Sequence, residues 1–413
     1  MRHHFVTYAA LILAGLECMA KPPSARAQTY TVMHRFEGST RDGWNPQGGL
    51  VMDGAGNLYG TVVNGPSCSP APCTASLGMI YELTQAGTET ILHRFTGKPD
   101  GANPYAGLIR NSAHDAFGTT SAGGASDMGI VFELTSSGEK ILHSFTGPPA
   151  DGAFPYAPLV QDKAGNLYGT TSTGGASNSG TVFEISAAGE ETILYSFTGA
   201  ADGGFPYGGL LRSAAGNLYG TTSSGGTAAG SCFPYGCGVI FEITTAGQEK
   251  VLYRFTGSPD GASPYGTLLV DSAGDLYGTT YNGGTGLCTN GCGVVFELDG
   301  SGVETVLHDF QGSPNDGAFP YAGLVFDTSG NLYGTTAYGG ASDNGAVFEL
   351  QASGTEIVLY SFMGSTDGGV PHAPLIIGST GILYGTAFSG GFTGAGCGGS
   401  PPDSCGVVFR LKP

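Results

Sequence analysis

The sequence predicts an all-β protein, a seven-bladed β-propeller of four-stranded blades. Three observations predict it. A phrase close to AGNLYGTTSTGG (164–175) recurs seven times, glycine supplies 74 of the 413 residues, and the two ends of the chain carry complementary parts of one repeat. So much glycine argues against helices, because each interior glycine costs about 1 kcal/mol relative to alanine. It suits short strands joined by tight turns.

Residues 1–27 read as a secretory signal peptide. Arg2, His3 and His4 give a basic start, 5–16 is mostly apolar, and Ala25-Arg26-Ala27 has the small-x-small pattern of a cleavage site. The apolar run is short for a membrane span and is closed by Glu17 and Lys21. Glu17 also spoils the small-residue setting that lipid attachment at Cys18 prefers. Residues 28–413 then form the propeller. No second stretch of spanning length occurs, so the expectation is a secreted, soluble monomer without membrane insertion.

Tyr59, Phe117, Tyr168, Tyr219, Tyr277, Tyr333 and Tyr384 are equivalent positions, spaced by 58, 51, 51, 58, 56 and 51 residues. The basic period is 51, and each longer interval carries a cysteine pair in its loop. A period near 50 points to a propeller, solenoid or array. In the third unit, turn signals cut out four strands: 158–161 (PLVQ), 166–170 (NLYGT), 180–185 (GTVFEI) and 192–197 (TILYSF). A tight hairpin at 162–165 joins the first two, its glycine supplying a positive φ. β-Branched and aromatic residues dominate the strands, as pleated surfaces prefer.

The chain ends separate a ring from an open array. Residues 29–36 (TYTVMHRF) match a fourth strand and 406–411 (GVVFRL) a third, so the last unit lacks a fourth strand that the N-terminus can donate. Closure removes the exposed ladder of an open array. A thin blade buries its faces only between neighbours, so Leu167, Tyr168, Val182, Phe183, Leu194 and Phe197 are expected in an interblade core.

The units GNLYGTT, GG, VFEL and SFTG, followed by DG and PYAGL, resemble those of the GloVer-containing, or choice-of-anchor repeat, proteins of bacteria. The resemblance covers nearly all of residues 28–413. It implies a secreted or surface repeat protein, often sorted by a separate C-terminal segment; here the chain stops at Pro413 directly after a strand, and no anchor is expected. It transfers no activity. The hairpin is also similar to those of NHL and lactonase-type propellers, whereas a single tryptophan, Trp44, argues against WD40, kelch and quinoprotein repeats.

Setting aside Arg2, Lys21, Arg26 and Glu17 leaves 12 basic against 32 acidic residues, a net charge of about −20. Such a surface repels phosphate backbones, so nucleic acid is excluded as a partner. Eight cysteines fall into close pairs: Cys68 with Cys73, Cys232 with Cys237, Cys288 with Cys292, and Cys397 with Cys405. Their spacing and the signal peptide favour four disulfides over a zinc site shared between neighbouring blades.

Strand order puts the loops between second and third strands and those between blades on one face. The opposite face gets only short turns. Binding is expected on the loop face. There, Asp42, Asp100, Asp151, Asp202, Asp260, Asp316 and Asp367 each precede glycine. These aspartates suit turns, with calcium as the alternative. No cofactor is required. Tyr105, Tyr156, Tyr207, Tyr265 and Tyr321 follow proline, with His372 in the seventh copy. They suit seam plugs, or a platform for sugar rings. Trp44, in the divergent first copy, is the most suggestive single aromatic for a ligand. Glu82, Glu133, Glu184, Glu242, Glu297 and Glu349 recur in the third strand, with Arg410 in the seventh, and are expected to pair with fourth-strand residues such as His93, His143 and Tyr195.

Catalysis has little support. Arg110, Gln161 and Arg212 are the unlike polar residues of the inner strands and form no metal set, and no G-x-S-x-G, H-E-x-x-H or phosphate loop occurs. The expected function is non-catalytic binding of extracellular carbohydrate or another surface ligand. The alternatives are a metal-dependent propeller hydrolase or lyase acting at the channel mouth, and a structural or adhesive surface protein.

Overall fold

The computed structural model describes residues 28–38, 42–65, 77–226, 232, 234–391, 397 and 405–413. The signal peptide lies outside them. Cys68 and Cys73 lie outside them as well, so the disulfide expected between Cys68 and Cys73 falls outside the described residues. The described residues form seven antiparallel four-stranded sheets and no α-helix, so none is long and apolar enough to cross a membrane. In the third blade the strands are Val160–Gln161, Leu167–Thr171, Thr181–Ile185 and Glu191–Ser196, in that spatial order. Inner strands are only two residues long, shorter than the sequence suggests. Four blade entries add a ladder absent from the sequence reading, such as Gly152–Ala153 against Thr173–Gly174.

The ring closes as the chain ends predict. Thr29–Arg35 is the fourth strand of the seventh blade, pairing antiparallel with Val407–Lys412 from Thr29 opposite Lys412 to Arg35 opposite Val407.

Each letter of the repeated phrase has a local cause. Asp162 Oδ1 accepts from the amides of Ala164 and Asn166, which fixes the inner hairpin. Asn166 Oδ1 accepts from Ala187 N, tying that hairpin to the turn between strands three and four. Gly169 faces the Phe183 ring, and a Cβ there would stand 2.6 Å from it. Thr170 Oγ1 donates to the Gly208 carbonyl of the next blade, 3.1 Å away. The same threonine crosses to the next blade at Thr61, Thr119, Thr221, Thr279 and Thr335. Thr386, at the closing seam, has no partner among the described residues.

Seams are filled by phenylalanine. Phe36, Phe95, Phe145, Phe197, Phe255, Phe310 and Phe362 are fully buried. Each meets a third-strand ring of the following blade, as Phe145 meets Phe183 at 5.1 Å and 69°. Edge-on aromatic pairs of this kind contribute about 0.5–1.5 kcal/mol beyond the area they bury.

Three of the four expected disulfides are present among the described residues. Cys232–Cys237, Cys288–Cys292 and Cys397–Cys405 pin loops between second and third strands, and they rule out zinc at those thiols. The fourth pairing, of Cys73 with Cys68, is not among the bonds that the described residues make, because neither cysteine is one of them. The three bonds suit an oxidising environment.

Candidate functional site

The loop face carries a built aromatic mouth. In all seven units the residue before proline has a left-handed backbone: Asn45, Asn103, Phe154, Phe205, Ser263, Phe319 and Val370, with φ from 52° to 62°. For a bulky or β-branched residue this costs about 1–3 kcal/mol and persists only where the surroundings enforce it. Here they do. The Phe154 amide donates to Met128 O, and its carbonyl accepts from Ser172 N; the other six units repeat the arrangement. The strained residue turns the following Pro-Tyr pair toward the propeller axis.

There Tyr105, Tyr156, Tyr207, Tyr265, Tyr321 and His372 stand side by side, with successive ring centres 4.9–5.4 Å apart. With Gln47 they line a cavity of about 250 Å³ whose walls, among the described residues, carry no acidic or basic side chain other than the His372 imidazole. The tyrosines are half-buried, and none of the five hydroxyls bonds to another group among the described residues. Burial alone raises the Tyr105 and Tyr207 hydroxyls above their ordinary pKa. Burial pushes His372 down to about 4, so its imidazole is neutral at physiological pH.

Trp44 is not part of the mouth. It pairs through its backbone with Asn64 and packs on the core around Phe36 and Leu50, while Gln47 takes the tyrosine position. Two further aromatics, Tyr281 and Tyr338, lie beside the mouth. Tyr281 touches Tyr265 and Phe319, and Phe319 touches the exposed Tyr338, so an aromatic path leads outward over blades five and six. The signal was present: Tyr281 stands where earlier units have Ser121, Ser172 and Ser223.

The aspartates lie at the seams. Asp151 Oδ2 accepts from Thr146 N and Oγ1 and stands 3.2 Å from His143 Nε2, and Oδ1 accepts from Gly152 N. Burial raises the Asp151 pKa, but His143 and the amide donors outweigh it and hold the carboxyl below its usual value. Amide, hydroxyl and imidazole donors thus surround this carboxylate, as in a turn. Asp100 and Asp316 are held by amide donors beside a fourth-strand histidine, and Asp202, Asp260 and Asp367 accept from fourth-strand tyrosines. A glutamate of the following blade approaches most of them. His93, Asp100 and Glu139 form one such group, and His143, Asp151 and Glu191 another.

This arrangement corrects the expected pairing of third-strand glutamates. Glu82, Glu184 and Glu242 accept from the second-strand hydroxyls of Tyr59, Tyr168 and Tyr219, while the fourth-strand His and Tyr go to the aspartates. Third and second strands are adjacent in register, which puts Tyr168 directly opposite Glu184. Arg110 and Arg212 lie over Tyr59 and Tyr168 of the preceding blades and so cover seams.

A family model, the Gloeobacter/Verrucomicrobia repeat, matches residues 23–233 and 227–399. The chain belongs to this family. No curated protein matches this repeat protein in sequence. In fold it is similar to virginiamycin B lyase from Staphylococcus aureus, with 14% identity and a TM-score of 0.57, covering 94% of this chain and 99% of that one. A putative 6-phosphogluconolactonase from Bacteroides uniformis is similar at 14% identity and TM-score 0.50, over 80% and 89% of the two chains. At such identity the likeness shows the fold alone.

Proposed function

We propose that this Gloeobacter/Verrucomicrobia repeat protein binds extracellular carbohydrate, without transforming it, at the tyrosine-lined mouth. The observation that carries the reading is the set of five half-buried hydroxyls that bond to nothing among the described residues. Polar groups in a concave site normally have partners, and here a ligand or water must supply them. A sugar ring matches both halves of the lining, its apolar face against the aromatic rings and its hydroxyls against phenol oxygens and the neutral imidazole. A cavity of about 250 Å³ suits one sugar residue. The path through Tyr281, Phe319 and Tyr338 extends the surface for a longer chain.

The same lining argues against hydrolysis at the mouth. Glycoside hydrolysis usually needs two carboxyl groups flanking the bond, and none lines the cavity. His372 is too weak a base to replace them at neutral pH.

A glycan array probed with the wild-type chain and with Tyr156→Ala and Tyr321→Ala tests the reading. Glycan hits that both substitutions weaken support it. An array without hits, or with hits indifferent to both substitutions, removes it.

A further inference from the structure

The closing seam differs from the other histidine seams in one atom. At Asp100, Asp151 and Asp316, Oδ1 accepts from the following glycine amide at 2.6–2.7 Å. Asp42 takes His34 and the Glu37 amide on Oδ2, at 3.3 and 3.1 Å, but its Oδ1 has no partner among the described residues. Asp42 is only 5% exposed, so bulk water does not reach that oxygen. Glu89, from the first blade, brings an Oε1 that is buried and unpartnered among the described residues, as are those of Glu139, Glu191 and Glu356, so the Asp42 Oδ1 is what sets the closing seam apart from the other histidine seams.

His34, Asp42 and Glu89 offer ligand atoms all within 4.8 Å of one another. They come from three separate elements: the N-terminal strand that completes blade seven, the loop leaving it, and the fourth strand of blade one. Two buried carboxylate oxygens converging beside an imidazole carry a cost that a cation offsets.

We infer that the closing seam is a binding site for one divalent zinc-class ion, held by His34 Nε2, Asp42 and Glu89. One imidazole and two carboxylates suit a four-coordinate transition ion, with a water completing the set. Calcium prefers six to eight oxygens and fits this set poorly. At the tyrosine seams, Tyr195, Tyr253 and Tyr360 instead donate a hydroxyl to the aspartate at 2.8–3.1 Å. The ion therefore joins the strand that closes the ring to the first blade.

The test uses the tag-free chain, stripped with chelator, reloaded with zinc and passed through gel filtration before elemental analysis. One zinc per chain is expected, falling to about zero in Glu89→Gln and unchanged in Glu304→Gln at a tyrosine seam. Zinc is also expected to raise the melting temperature of the wild type and not that of Glu89→Gln. Failure to retain zinc, or equal retention by Glu89→Gln, overturns the site. Should Glu89→Gln fail to fold, cobalt added to the wild-type chain decides, since a four-coordinate visible absorption band is required and its absence overturns the site equally.

Discussion

Asp151 and Tyr156 stand five positions apart, and each belongs to a position that recurs once per blade. They nonetheless belong to different chemistries. Asp151 is enclosed at a seam, with amide, hydroxyl and imidazole donors around both oxygens. Tyr156 stands at the axis in contact with Tyr105 and Tyr207, its hydroxyl without a partner among the described residues. Recurrence does not separate the two positions, because a closed ring repeats its joints and its rim equally. Hydrogen-bond accounting does: the satisfied group holds the scaffold together, and the unsatisfied one is the group that the proposed ligand would engage.

The comparison is broken most forcefully by emptying a seam. Phe197→Ala removes a fully buried ring wedged against Phe241 and is expected to cost about 3–5 kcal/mol in denaturant unfolding. Asp151→Ala strips several donors of one acceptor and is expected to cost about 1–3 kcal/mol by the same measurement. Neither change touches the mouth, so glycan binding by the folded fraction should persist.

A gentler perturbation uses pH. Burial, then the Asp260 charge, raises Glu304 from 4.5 to about 7. Between those values the folded state holds a proton that the unfolded state has released. The contribution is full below pH 4.5 and is lost as pH rises through 7. Glu304→Gln should flatten the fall in melting temperature over that window, and an unchanged slope would show that Glu304 does not titrate at the seam.

The smallest stability effect belongs to the rim. Tyr156→Phe deletes a hydroxyl with no protein partner among the described residues, so unfolding should shift by no more than about 0.5 kcal/mol. Sugar affinity, measured calorimetrically, should still fall by about 0.5–1.5 kcal/mol. A clear loss of stability would mean that Tyr156 is a seam plug after all.

Much of this was legible in the chain. The period, the four strands, the donated N-terminal strand and the face that carries the elaborated loops follow from turn residues and alternation, which act over a few residues. The tyrosine set was visible too, with its two readings, and the structure adds that the rings line one cavity. Trp44 misled because a lone aromatic in a divergent copy draws attention, while the proline two residues later leaves Gln47, not Trp44, in register with the tyrosines. Tyr281 went unnoticed because its position lies outside the recurring aromatic set.

What the sequence determined by itself is local and periodic: strand boundaries to within a few residues, tight turns, the number of units and their closure. What the tertiary structure alone decided is which residue of one blade meets which residue of the next. The approach of Asp42 to Glu89 and of Phe145 to Phe183 depends on how neighbouring blades pack, and the pairing of Tyr168 with Glu184 on strand register within one blade. Such contacts join residues some 16 to 47 positions apart, beyond the range over which turn chemistry and hydrophobic alternation carry information.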